Sequence, residues 1–207
     1  MKELLLIALI HLLAVMSPGP DLIMIAKNSV VYSRKTGVYT AIGLALGILT
    51  HVTYTLIGIG IIISQSIILY SVIKIAGAFY LIYLGLKALL SKSSMVSNKS
   101  LVKAEKDMSK FQAVKIGYLT NILNPKVTIF FLSIFSQVVS PETGLGMKIL
   151  YGAEMSMATF VWFSFVANVL TIQAIKQHYD RFSGHIEKTM GVILTALGLK
   201  IIFSGRD

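Results

Sequence analysis

The sequence predicts an all-α membrane protein of six transmembrane helices, arranged as two inverted three-helix repeats, with helices 1 and 4 broken at proline-containing motifs. Three observations carry this expectation. The 207 residues are 55% apolar and only 14% charged, with a mean hydropathy of +0.77, whereas soluble domains are about 45–50% apolar and about 25% charged. The apolar residues gather into long runs. A spanning helix takes about 20 of them, so with loops the chain has room for about six. Finally, prolines interrupt the first and the fourth run, at Pro18 to Pro20 and at Pro125.

Charge and cysteine content narrow the class further. The net charge is +10, which in a soluble protein points to nucleic acid. Here the basic residues lie between the apolar runs, so the charge reads as membrane topology and no nucleic-acid partner is expected. The absence of cysteine removes disulfides, thiolate chemistry and cysteine-based metal sites.

The first segment spans about Lys2 to Ala26. It has the look of a signal peptide, but Glu3 sits in the charged region and Pro18 follows the would-be cleavage site, so it reads as a retained span. Residues 27–37 read as a basic loop. The second segment runs from about Val38 to Ser64. It holds the pair Gly43 and Gly47, four apart, which lets another helix approach closely. An internal contact and a homodimer fit that pair equally well. His51 lies mid-segment, a packing residue or a relay. After a turn at residues 64–66 comes the third segment, Ile67 to Leu90, with Gly77 and Gly85 expected to share one face.

Residues 91–110 are the one long polar stretch. They read as a cytoplasmic linker between a first repeat, 1–90, and a second, 111–207, within one membrane domain. The fourth segment, Phe111 to Val139, carries Asn121, Asn124, Pro125 and Lys126, then Phe130, Phe131 and Phe135. The fifth, Met147 to Gln173, contains Glu154, Trp162 and Asn168. Glu154 is a candidate relay group or an interfacial acid. The sixth spans Gly184 to Phe203, with Gly191 and Gly198 on one face.

Lysine and arginine in the loops set the orientation. With six spans and both termini outward, the inner side holds thirteen of the nineteen basic residues and the outer side four; Lys74 and Lys126 are intramembrane. Both termini are therefore expected on the periplasmic or extracellular side. A five-span arrangement would move one terminus.

The two breaks are the candidate site. Proline removes a backbone donor and pushes the preceding residue out of the helical region. Open backbone in hydrocarbon is tolerated only against protein or a water-filled cavity, and an acid there is a functional candidate by default. Each half has three segments, so the second half lies upside down relative to the first. Paired interrupted segments are then the sequence pointer to a transporter's binding site. Gly19 and the flanking prolines, Pro18 and Pro20, open the first break, and Asp21 offers a carboxylate to an ammonium group. Lys126 offers a charge to a carboxylate, as do the N–H groups at a half-helix start. Asn121 and Asn124 add neutral donors and acceptors. This suits an α-amino acid. The competing reading is a structural ion pair between Asp21 and Lys126.

Ser17-Pro18-Gly19-Pro20-Asp21, the series Gly37, Gly43 and Gly47, the stretch Gly77-x-x-Tyr-Leu-x-x-x-Gly85, and Asn121-x-x-Asn124-Pro125-Lys126 followed by Phe130-Phe131 resemble the LysE/RhtB family of amino-acid exporters over essentially the whole chain. The resemblance implies a bacterial inner-membrane exporter of amino acids such as lysine, threonine, homoserine or leucine. It also implies coupling to the proton gradient or membrane potential without a cofactor. It gives no role to Glu154 or Trp162.

Other classes fare worse. There is no GxxxxGK[ST] for intrinsic ATP use, and no HExxH or GxSxG for an intramembrane enzyme. An exporter of another small solute or of a divalent metal ion is the alternative, but Asp21 and Glu154 without cysteines make a poor ligand set.

Overall fold

The computed structural model describes residues 2–17, 19–65, 67–90, 104–138, 143–169 and 173–203. All regular structure among them is helical: α1 (Lys2–Met16), α2 (Pro20–Val31), α3 (Arg34–Gln65), α4 (Ile67–Leu90), α5 (Lys110–Ile122), α6 (Pro125–Val138), α7 (Leu145–Val169) and α8 (Gln173–Phe203). Helix is interrupted at both proline motifs, between α1 and α2 and between α5 and α6. The α1–α2 pair bends by 57°. Pro18, Ser66 and the part of the expected linker at 91–103 lie outside the described residues.

The chain is inside-out compared with a soluble protein. His11, Asp21, Asn28, Thr40, His51, Asn121 and Asn124 are buried, while Leu5, Leu9, Phe79, Leu145 and Phe203 are exposed. Exposed apolar surface on this scale needs a non-aqueous neighbour. By length and composition, Arg34–Gly58 and Leu145–Val169 are each able to cross a membrane, and the α1–α2 pair makes a third span if counted as one.

Helix α3 is central, packing along α5 and α7 and against α2; α4 packs along α8. Glycine sets both long contacts. A Cβ added to Gly43 would lie 2.1 Å from the Val114 carbonyl oxygen, and one on Gly117 2.1 Å from that of Thr40. The α3 and α5 backbones therefore touch where only glycine fits. Gly85 and Gly191 do the same for α4 and α8, each Cβ falling 2.7 Å from the other's carbonyl oxygen.

Three expectations need correction. Residues 27–37 are not a loop: α2 runs to Val31 and α3 begins at Arg34, leaving only a short turn. The polar residues at the end of α2 find partners inside, Asn28 Nδ2 donating to Thr40 Oγ1 (3.0 Å) and Ser29 Oγ to the Ile25 carbonyl (2.7 Å). The last helix starts at Gln173, eleven residues before Gly184, because polarity marks the end of a span and not the end of a helix. Gly77 and Gly85 do not serve one contact. Gly77 faces Ser133 of α6, whereas Gly85 faces Gly191 and Thr195 of α8.

The apolar core forms two clusters. One holds Ile7, Ile10, Leu81, Phe130, Phe131 and Phe135 among others, and the second Leu22, Ile25, Leu44, Phe163 and Val166. The site lies between them.

Candidate functional site

The two breaks meet. Both second half-helices start with proline at the first helical position, Pro20 in α2 and Pro125 in α6, where the missing N–H costs nothing. Asp21 and Lys126 follow at equivalent positions with opposite charge. Asn121 Nδ2 donates to Asp21 Oδ2 (2.8 Å) and Asn124 Nδ2 to Asp21 Oδ1 (3.1 Å). Each carboxylate oxygen of the first break thus accepts from an amide at the second. All three side chains are buried.

Lys126 reaches the other way. Its Nζ donates to Ser17 Oγ (2.6 Å) and approaches the Ser17 carbonyl (3.4 Å). Gly19 lies beside the lysine, where a Cβ would make an ordinary contact, 3.5 Å from Nζ. Asn124 also accepts from the Lys126 backbone N–H through Oδ1 (3.1 Å), capping α6 while its amide nitrogen holds Asp21. No described side chain caps α2.

The pair Gly43 and Gly47 positions this amide. Gly47 lies against Asn121, where an added Cβ would fall 2.5 Å from Oδ1 and 2.8 Å from Cβ. The face left open between an internal contact and a homodimer is therefore occupied inside the molecule, by Gly117 and Asn121 of α5. Of the two relay candidates, His51 touches the site. Its Nε2 lies 3.1 Å from the Asn121 carbonyl oxygen, its Nδ1 pairs with the Tyr54 hydroxyl, and its ring stacks on Phe131. Glu154 lines a separate groove with Leu12, Met157, Val161 and Trp162.

A cavity of about 40 Å³ opens on the meeting point. Its wall includes Ser17, Gly19, Asp21, Asn124 and Lys126, then Ile48, Leu22, Phe130, Phe131 and Phe163, with His11 and Thr159 as further polar members. Sequence reasoning missed Ser17 as the lysine's acceptor, and also His11 and Thr159. Thr159 sits in a run of similar small and apolar residues with nothing to mark it. A histidine inside the otherwise uninterrupted apolar run of α1 was a usable signal.

Asp107, outside the membrane helices, accepts from the hydroxyls of Ser33, just before α3, and Thr36, in its first turn. These hydroxyls hold its carboxyl below the usual range. The contact ties the α2–α3 turn to the approach to α5.

Among the described residues, no three His, Asp or Glu side chains come together as a metal set. The model of the LysE type translocator family matches residues 12–205. A threonine efflux protein of Escherichia coli (strain K12) is 29% identical over 201 residues, covering 96% of each chain. One from Salmonella typhi is 28% identical with the same coverage. An uncharacterized membrane protein of Bacillus subtilis (strain 168) is 30% identical, covering 97% of this chain and 98% of its own. No solved structure matches. With nearly its whole length matched, this chain belongs to the LysE type translocator family.

Proposed function

We propose that this protein is a secondary transporter exporting a small amino acid or close derivative across the bacterial inner membrane by alternating access. The observation that carries the reading is the junction of the two breaks, where an acid from one is held by two amides from the other beside a lysine. The similarity to threonine efflux proteins supports the same class.

The chemistry at the junction is two-sided. The Asp21 carboxylate and the Ser17 carbonyl suit an ammonium group. Lys126 and the amide N–H groups of the uncapped α2 start suit a carboxylate. Lys126 occupies the first turn of α6, where the positive end of the helix disfavours a cation by about 0.3–1 kcal/mol. A lysine kept in a position that costs stability supports a binding role over a purely structural pair. At about 40 Å³ the cavity holds water and not an amino acid, so solute entry requires the half-helices to separate. That movement breaks the amide–carboxylate bonds, which a bound ammonium replaces.

Six spans in two inverted repeats, with both termini outward, fit the order of the helices. The contacts α3 with α7 and α4 with α8 are those that an inverted two-fold pairs with themselves. The driving force is the proton gradient or membrane potential, without a bound cofactor, and His51 is the relay candidate in contact with the site. A homodimer would use a face other than Gly43 and Gly47.

The test is export from cells loaded with dipeptides of each amino acid. Selective appearance of one or a few amino acids outside, lost in Asp21→Asn and Lys126→Ala at equal membrane insertion, supports the reading. Export of no amino acid by inserted wild-type protein overturns it.

A further inference from the structure

We infer that His11 and Thr159 are the specificity-determining pair of the cavity, reading a hydrogen-bonding side chain of the solute. The inference rests on the cavity being an amino-acid site. The polar groups of the wall fall into two sets. Ser17, Asp21, Asn124 and Lys126 form the charged set, which the ammonium and carboxylate of an amino acid satisfy. The other set is His11 with Thr159, on a wall that is otherwise aliphatic and aromatic. Ser17 lies six positions beyond His11, just past the end of α1, about 9 Å along the helix axis. With the zwitterionic head at the charged set, the solute's own side chain meets the pair.

The pair is incompletely satisfied. His11 is 1% exposed. Its Nε2 lies 3.4 Å from Thr159 Oγ1, a long bond, and its Nδ1 has no partner among the described residues. Its ring is flanked edge-on and obliquely by Phe131 and Phe130, neither of which offers a hydrogen bond to a ring nitrogen in the ring plane. An orphaned buried nitrogen costs free energy, and a buried polar group without a partner calls for an explanation. A solute hydroxyl supplies one, accepting from or donating to the imidazole and replacing the long threonine contact. A site built this way discriminates against an analogue that lacks the group far more strongly than an apolar pocket discriminates by a methylene. The solute class is therefore a small hydroxylated amino acid in preference to its apolar isostere. Of the helices packed against α1, α6 carries Lys126, α7 carries Lys148, Tyr151 and Glu154, and α8 carries His185, Glu187, Lys188 and Lys200 among others; Asp21 and His51 of α2 and α3 are the remaining groups near the cavity. Asp21 and Lys126 belong to the charged set and His51 to its bracing, Glu154 faces a different groove, and among the described residues the cavity wall includes none of the others.

The experiment measures the ratio of threonine to valine transport in proteoliposomes for wild type, Thr159→Val, His11→Leu and His11→Gln. Threonine and valine share shape and differ by the hydroxyl. The expected result is a wild-type ratio well above one that falls at least about tenfold in Thr159→Val and His11→Leu, with His11→Gln recovering part of it. A merely structural role lowers both solutes together and leaves the ratio alone. A ratio unmoved in both variants, with transport retained, overturns the inference. So does a ratio unmoved while transport ceases to respond to an imposed pH gradient, which makes His11 a proton carrier instead. Wild-type protein that moves no amino acid overturns the site itself, a separate failure.

Discussion

The two helix breaks use the same device to different ends. Each second half-helix opens on proline, Pro20 in α2 and Pro125 in α6, and each puts a charged residue next. The first break places Asp21 where the helix end favours an anion and leaves the helix uncapped. The second caps itself with Asn124 and places Lys126 where the helix end disfavours a cation. One break is electrostatically comfortable and open; the other is capped and carries a misplaced charge. The difference teaches that the second break is the holder and the first the held. Asn121 and Asn124 both donate towards Asp21, whereas among the described residues the first break answers Lys126 through one residue, Ser17, by its hydroxyl and carbonyl.

The largest expected effect comes from breaking that asymmetry. Asp21→Asn leaves two amide donors facing a neutral amide, and Lys126→Ala removes the cation. Each should lower export by roughly 10–100-fold, the scale of hydrogen bonds to charged groups, at unchanged membrane insertion. Exchanging the charges, Asp21→Lys with Lys126→Asp, should fail to restore export because the amides would then face an ammonium. Restoration in this double variant, read by the same export assay, would show the breaks to be interchangeable.

Next comes the brace behind the second break. Gly47→Ala drives a methyl against Asn121 and should reduce export by more than it reduces thermal stability, since it displaces one donor. Gly43→Ala meets backbone on α5 instead. It should cost roughly 1–3 kcal/mol and lower Tm by several degrees in detergent. Gly58→Ala, with nothing within 4 Å of its Cβ, should leave both unchanged or gain slightly from helix propensity. Measuring the three side by side separates positioning from packing.

Smallest is the tether joining the flanks of the two breaks. Hydroxyls of Ser33 and Thr36 lower the pKa of Asp107 in the folded state, so its contribution to stability is present above the ordinary value of 3.8 and is lost as pH falls below it. Asp107→Asn should flatten the pH dependence of Tm in that acid range by lowering Tm slightly above it, so that wild type and variant converge at low pH.

Much of this was legible in the sequence. Proline chemistry alone located both breaks, and the paired acid, base and amides marked the residues that meet. The small pair Gly43 and Gly47 announced a close contact. What stayed hidden was the partner, since neither Gly117 nor Asn121 says which helix it will touch. The helical turn at Lys27 was misread because polar residues such as Asn28 look like loop until Thr40 supplies a partner. The start of α8 was misread because hydropathy rises at Gly184, eleven residues after the backbone has become helical. His11 and Thr159 are 148 positions apart, and only the packing of α1 on α7 brings them to one cavity.

The most direct test of the central claim is threonine counterflow in proteoliposomes holding wild type or Asp21→Asn at equal density. The account predicts accelerated exchange by the wild type and exchange at least about tenfold slower by the variant. Equal exchange by both would contradict the assignment of the meeting breaks as the site of transport.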